Sequence, residues 1–245
     1  MKALSAIDIV RIWELGLAQN PADRAMTMLA PAFLEMKREE IASLSLGQMN
    51  TRLLSVREGL FGPGINCYAE CPRCGEGLEF TVSIPALKGE YTVEPSEQEY
   101  ELSVEGYSLR FRLLNNLDLK AAMGNSNREA TRRLLFERCV LESRKDNEEI
   151  PADRLPDAVI TTLAERLSEC DPQAELLIDL ECPACKNIWQ TEFDVAGFLW
   201  KELSAWARRL LGEVHVIASA YGWREAEILA MSARRRHYYL ELINA

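Results

Sequence analysis

Cys71-Pro72-Arg73-Cys74-Gly75 and Cys182-Pro183-Ala184-Cys185-Lys186 are two copies of one short pattern, and reading them together decides how the middle of this chain folds. Two cysteines separated by two residues sit on one tight turn that aims both sulfurs at a single ion, and a tetrahedral zinc site takes four thiolates. Two hooks therefore predict one closed site built from Cys71, Cys74, Cys182 and Cys185, holding one structural Zn2+ per chain. Two disulfides or four unrelated buried thiols are the alternatives, and the repeated C-P-x-C pattern speaks against both. The 107 residues between Cys74 and Cys182 exceed what a self-contained zinc finger uses, so the metal is expected to join two distant hairpins across a long insertion.

Around the hooks the apolar residues recur every second position. Leu78, Phe80, Val82 and Ile84 follow the first hook; Leu176, Ile178 and Leu180 lead into the second, and Trp189, Thr191 and Phe193 lead out of it. This is the period of a strand with one buried face, so each hook is read as the turn of a hairpin and the pair as a zinc ribbon. Segments 91–93, 100–104 and 107–113 read as further antiparallel strands, with Gly106 in a hairpin turn.

The insertion then becomes helical. A cap at Asn125 or Ser126 opens a helix whose apolar face is Ala130, Leu134, Leu135, Cys139 and Leu141. Arg128, Arg132, Arg133 and Arg138 alternate there with Glu129, Glu137 and Glu142, which suits a solvated helix face better than an anion site. A second helix is expected over 155–170, stopped by Asp171-Pro172, and 143–151 reads as an exposed charged loop.

Both ends of the chain are helical. Ile7, Ile9, Val10 and Trp13 begin one helix after Ser5, Asn20-Pro21 caps another, and Met49, Leu53, Val56 and Leu60 mark a third that ends at Gly62-Pro63-Gly64. At the other end Phe198, Leu199, Leu203, Trp206 and Leu210 form one stripe, followed by short helices near Trp223 and after Arg234. The expected class is α+β: helical N- and C-terminal blocks around a small antiparallel zinc-ribbon sheet with a long, partly helical insertion. Its segments are 1–64, 65–115, 116–173, 174–195 and 196–245.

Composition narrows the function. Asp and Glu outnumber Lys and Arg 38 to 28, a net charge of -10 that disfavours phosphate backbones and anionic lipid. No apolar run reaches 18 residues, and Asp8 with Arg11 interrupts the only stretch resembling a signal peptide, so a cytoplasmic protein is expected, with Cys67, Cys139 and Cys170 as core thiols. The two histidines, His215 and His237, lie in no catalytic motif, and a zinc held by four thiolates has no open position for water, so no enzymatic activity is expected. The basic cluster Arg234, Arg235 and Arg236 reads as helix-end charge or a protein interface ahead of a nucleic-acid contact; with Trp223, Tyr238 and Tyr239, whose presence core packing alone explains equally well, it has the aromatic-plus-arginine character of an interface and is the candidate partner surface.

Several stretches together resemble the T4-type baseplate hub assembly chaperone family of contractile phage tails and phage-tail-like injection systems. They are LSAIDIVRIWELGLAQNPADRAMTMLA (4–30), LLSVREGLFGP (53–63), ECPRCGEGLEF (70–80), ATRRLLFERCVLE (130–142), LECPAC (180–185) and AYGWREAEILAMSARRRHYYLELI (220–243). The resemblance implies a non-enzymatic role in building, or forming part of, the baseplate hub, with hub, spike or tube-initiator proteins as partners and a place in the cytoplasm or the assembled particle. It transfers no catalytic or partner-contact residue; only the four hook cysteines match a motif with a chemical role. The alternative from another class is a zinc-ribbon regulator that binds nucleic acid, for which basic and aromatic residues should surround the ribbon; the hooks instead neighbour Glu70, Glu76, Glu79, Glu181 and Glu192.

Overall fold

The structure, a computed structural model, describes residues 1–89, 99–125 and 127–244, so the expected strand at 91–93 and the cap at Ser126 lie outside the described residues. The chain divides into two compact units, one of residues 1–36 with 195–245 and one of residues 37–194.

The unit made from the two chain ends is helical. Helix α1 (Ala6–Gly16) starts at Ser5, whose hydroxyl accepts from the Asp8 amide while the Asp8 carboxylate accepts from the Ser5 amide. This reciprocal cap satisfies two amides that a helix start leaves unpaired. Asn20 caps α2 (Pro21–Leu29) by accepting from the Asp23 amide at 3.0 Å. The C-terminal segment supplies α9 (Val195–Tyr221), α10 (Glu225–Leu229) and α11 (Ala233–Asn244), with α10, α11, α1 and α2 all packed on α9. Leu199, Leu203, Ala207, Leu210, Val214 and Ile217 recur every three or four residues along α9 and are buried, which makes it the spine of this unit. Gly16 permits the close approach of α1: a Cβ there would fall 2.4 Å from the Trp200 ring.

The unit of residues 37–194 holds the sheets. Helices α3 (Arg38–Ser43) and α4 (Leu46–Phe61) belong to it, which divides the expected helical block 1–64. The reason is polar as well as apolar: the Gly47 amide donates to the Asp171 carboxylate at 3.0 Å, and the Asn50 amide group donates to the Gln173 carbonyl at 2.9 Å. Strands β1 (Gly64–Glu70) and β2 (Gly77–Ser83) form the first antiparallel hairpin, followed by α5 (Ile84–Lys88). Next come β3 (Glu99–Val104), β4 (Tyr107–Arg112), α6 (Asn116–Ala122), α7 (Arg128–Cys139), β5 (Val140–Lys145), β6 (Glu148–Glu149), a 3-10 turn (Ala152–Arg154) and α8 (Asp157–Cys170). Strands β7 (Leu177–Glu181) and β8 (Ile188–Glu192) close the unit as a second hairpin. The sheets are antiparallel and separate, two hairpins and one sheet ordered β3-β4-β5-β6, so the expected single small sheet is replaced by three.

Helices α7 and α8 cover the four-stranded sheet with a core of Leu109, Phe111, Phe136, Cys139, Val159 and Leu163. The mixture of helices and small antiparallel sheets is α+β. Two expectations need correction. Residues 143–149 are not a loop: they are the end of β5, a two-residue turn and β6, paired Arg144 with Glu149 and Lys145 with Glu148, and only 150–151 lack regular structure. Asp146 and Asn147 both have positive φ (48° and 73°), a conformation these two residue types tolerate and a tight hairpin turn requires. The helix before it stops at Cys139, because β-branched Val140 enters the sheet, and Leu141 is exposed on β5. Its cap is Asn127, whose side chain accepts from the amides of Glu129 and Ala130.

Candidate metal centre

Each hook is a hairpin turn with the same hydrogen bonds. In the first, the Cys71 amide donates to the Glu76 carbonyl at 2.8 Å and the Gly75 amide to the Cys71 carbonyl at 2.9 Å. In the second, the Cys182 amide donates to the Asn187 carbonyl at 2.9 Å and the Lys186 amide to the Cys182 carbonyl at 3.0 Å. Proline after the leading cysteine fixes φ at a position whose N–H the turn does not use. The chain then reverses through a left-handed residue, Gly75 at φ 75° and Lys186 at φ 58°.

These turns bring the four cysteines named from the sequence into one cluster. Their sulfurs all lie within 4.8 Å of one another, with Cys71 Sγ 3.7 Å from Cys185 Sγ and Cys74 Sγ 3.6 Å from Cys182 Sγ. A disulfide needs about 2.05 Å, and all seven cysteines are free thiols. The leading cysteine of each hook is buried and the trailing one is more open. Burial pushes the Cys71 thiol up, but the Arg73 and Cys74 amides outweigh it and bring the thiol down to about 7. For Cys74 the Glu76 amide favours the thiolate, yet Cys185, burial and the other sulfurs push the thiol up to about 12. Four sulfurs at this spacing cannot all carry charge unless a cation holds them together, and the cluster is compatible with a metal ion bound by four thiolates. Of the other cysteines, Cys139 is a core thiol pushed up to about 12 by burial, whereas Cys67 and Cys170 are only half-buried.

The φ angles give one prediction. Gly75→Ala should destabilise the protein by about 1 kcal/mol, because an alanine forced into the left-handed region strains a turn that glycine fits freely. Lys186→Ala should stay within about 0.5 kcal/mol, since a side chain already occupies that conformation there. Urea-unfolding midpoints of the two variants compare them; equal shifts would show that the hooks do not feel φ at these positions.

The sequence-predicted partner surface is only partly open. Tyr221 stacks on Trp223 with centroids 4.7 Å apart, and Tyr239 meets both edge-on. Arg235 lies over Tyr239 at 5.7 Å, and Arg234 and Tyr238 point outward. Arg236 does not: it is 3 % exposed, with Nε donating to Glu213 at 2.8 Å and a terminal nitrogen to the Met231 carbonyl at 2.6 Å. Sequence reasoning also missed Asp118, a buried carboxylate held by Arg112 and Arg138. The signal was the Asn115-x-x-Asp118 capping pair, whose reciprocal bonds are present.

A family model described as T4 bacteriophage base plate protein matches residues 22–200, nearly three quarters of the chain and both hooks. The matched stretch leaves α1, α10 and α11 outside it. No curated protein and no solved structure matches. Among the described residues no helix is long and apolar enough to cross a membrane.

Proposed function

We propose that this chain, which belongs to the T4 bacteriophage base plate protein family, is a non-enzymatic component or assembly chaperone of the baseplate hub of a contractile tail or injection system. The family match over residues 22–200 carries the reading. A structural zinc ion bound by Cys71, Cys74, Cys182 and Cys185 makes the two hairpins a zinc ribbon. Zinc–sulfur bonds of about 2.3 Å place tetrahedral ligand sulfurs about 3.8 Å apart, and the cross-hook pairs at 3.6 and 3.7 Å fit that spacing. When bound, the ion supplies cross-linking and charge neutralisation; the hooks supply a fixed cradle.

Partner contact is assigned to the surface of α11 and the α9–α10 connection, through Trp223, Arg234, Arg235, Tyr238 and Tyr239, with hub, spike or tube-initiator proteins as partners. Arg236 anchors that surface from below. Arg236→Ala should therefore destabilise the end-segment unit by about 2 to 3 kcal/mol, because Glu213 loses a nearly buried counter-charge. The double change Arg234→Glu with Arg235→Glu alters exposed positions and should leave the melting temperature within about 2 °C. The function is tested by a pull-down with tagged protein from cells expressing the tail gene cluster, set beside the composition of purified particles. Capture of hub or spike proteins by wild type, weakened in the folded double variant, is expected. No tail protein in the pull-down and none of this chain in particles would overturn the reading.

A further inference from the structure

An apolar cavity of about 500 Å3 opens on the 37–194 unit, and none of the four hook cysteines lines it. Leu114, Phe136 and Leu167 line it together with Leu177 of β7. The charged side chains that reach it are Asp171, Glu175 and Glu192, and among the described residues its lining has no lysine, arginine or histidine. Phe136 and Leu167 belong to the core under the four-stranded sheet and form the floor, while Glu175 and Glu192 are exposed at the mouth. A cavity of this volume has room for one or two large side chains, and its polar groups decide what may accompany them.

We propose that this cavity docks a segment of a partner protein that carries a large apolar side chain beside a lysine or arginine. The apolar floor accepts the side chain, and the two mouth carboxylates meet the cation. A neutral or anionic ligand would gain nothing from these carboxylates or be repelled by them, and the net charge of -10 favours approach of a basic segment. Leu177 and Glu192 stand opposite each other in the β7–β8 register. The hairpin that carries Cys182 and Cys185 at its turn thus frames the cavity at its base, and fixing the turn steadies the wall of the cavity. The inference adds a second contact surface to the baseplate reading without depending on it, since its test uses no tail protein.

The test pans a random twelve-residue peptide library on the full-length, zinc-loaded protein and measures binding of the enriched peptides by fluorescence anisotropy. Two variants accompany wild type: Ser168→Trp, which fills the mouth from an exposed position on α8, and Glu175→Lys with Glu192→Lys, which reverses its charge. The expected result is enrichment of peptides with a leucine, isoleucine, methionine or aromatic residue next to a lysine or arginine. Each variant should weaken their binding at least tenfold, and added salt should weaken binding to wild type. Failure to enrich any peptide, or binding untouched by Ser168→Trp, overturns the proposal. So does an apolar consensus indifferent to the charge reversal. Self-association of wild type abolished by Ser168→Trp would make a second copy the occupant and overturn it too, as would Ser168→Trp-sensitive binding to neutral lipid vesicles without any peptide consensus.

Discussion

If the four hook cysteines hold the proposed zinc, Cys182→Ser is expected to abolish its binding and to lower the melting temperature of the protein by about 10 °C. Joining hairpins separated by a loop of about 110 residues carries a closure entropy of roughly 4 kcal/mol, and structural zinc binding by thiolates is worth on the order of 10 kcal/mol or more. The metal therefore exceeds the closure term, and losing one buried ligand forfeits much of the surplus. For a unit of this size each kcal/mol corresponds to about 2 to 4 °C, so a net loss of about 4 kcal/mol gives the expected shift. The control is Cys139→Ser. Its thiol donates to the Phe136 carbonyl at 3.3 Å, a bond that a hydroxyl can also make, and it lies in the core under the four-stranded sheet. That variant should keep one zinc per chain and lose only about 1 to 2 kcal/mol. Elemental analysis and thermal unfolding decide: a Cys182→Ser protein with wild-type zinc content, or with a wild-type melting point, removes the staple. Since thiols must lose their protons to bind, acid should release the metal as well.

What was legible in the sequence follows from range. The hooks were readable because a C-P-x-C turn is local, and only the pairing of two turns had to be inferred; the structure brings the same four sulfurs together. Strands β2, β3, β4, β7 and β8 and the helices with Ser5 and Asn20 caps were likewise written in period and cap chemistry within a few residues. The hairpin of β5 and β6 was hidden because its residues are charged and its turn, Asp146-Asn147, lacks glycine. Arg236 and Arg138 were hidden for a different reason. Each reads as one more surface cation, and only the tertiary fold brings a carboxylate, Glu213 or Asp118, to it. The break at residue 36 was equally out of reach, because the sequence marks the helices on both sides of it only as helical, and which surface α3 and α4 bury against is decided at long range, by contacts such as Gly47 with Asp171.

Asp118→Asn is the second change expected to act strongly, with a loss of about 3 kcal/mol at neutral pH. The carboxylate is completely buried and accepts a two-pronged bond from Arg112, at 2.6 and 2.9 Å, one from Arg138 at 2.9 Å and one from the Asn115 amide at 3.0 Å. Arg112 also reaches the Arg138 carbonyl at 2.9 Å, so one carboxylate ties β4, the start of α6 and the end of α7. Asparagine preserves shape but turns an amide donor toward guanidinium donors and leaves two cations without their counter-charge. Breaking a buried pair in this way costs about 3 to 5 kcal/mol, and the lower end applies because Arg112 and Arg138 stay 29 % and 38 % exposed and can regain water. Burial pushes the Asp118 carboxyl up, but the Arg112 and Arg138 guanidiniums and the Asn115 amide outweigh it and hold the carboxyl below its ordinary value. A depressed native pKa means the stabilisation is fully present above the unfolded value near 4 and is lost as pH falls through the lower native one. The difference between wild type and Asp118→Asn should accordingly be constant from neutral pH to about pH 5 and shrink below about pH 4. Acid would also release a metal held by the four hook cysteines, but from both proteins alike, so the difference between their urea midpoints isolates the carboxylate. A difference under 0.5 kcal/mol at pH 7, or one that grows in acid, would mean that Asp118 is not the knot of this unit.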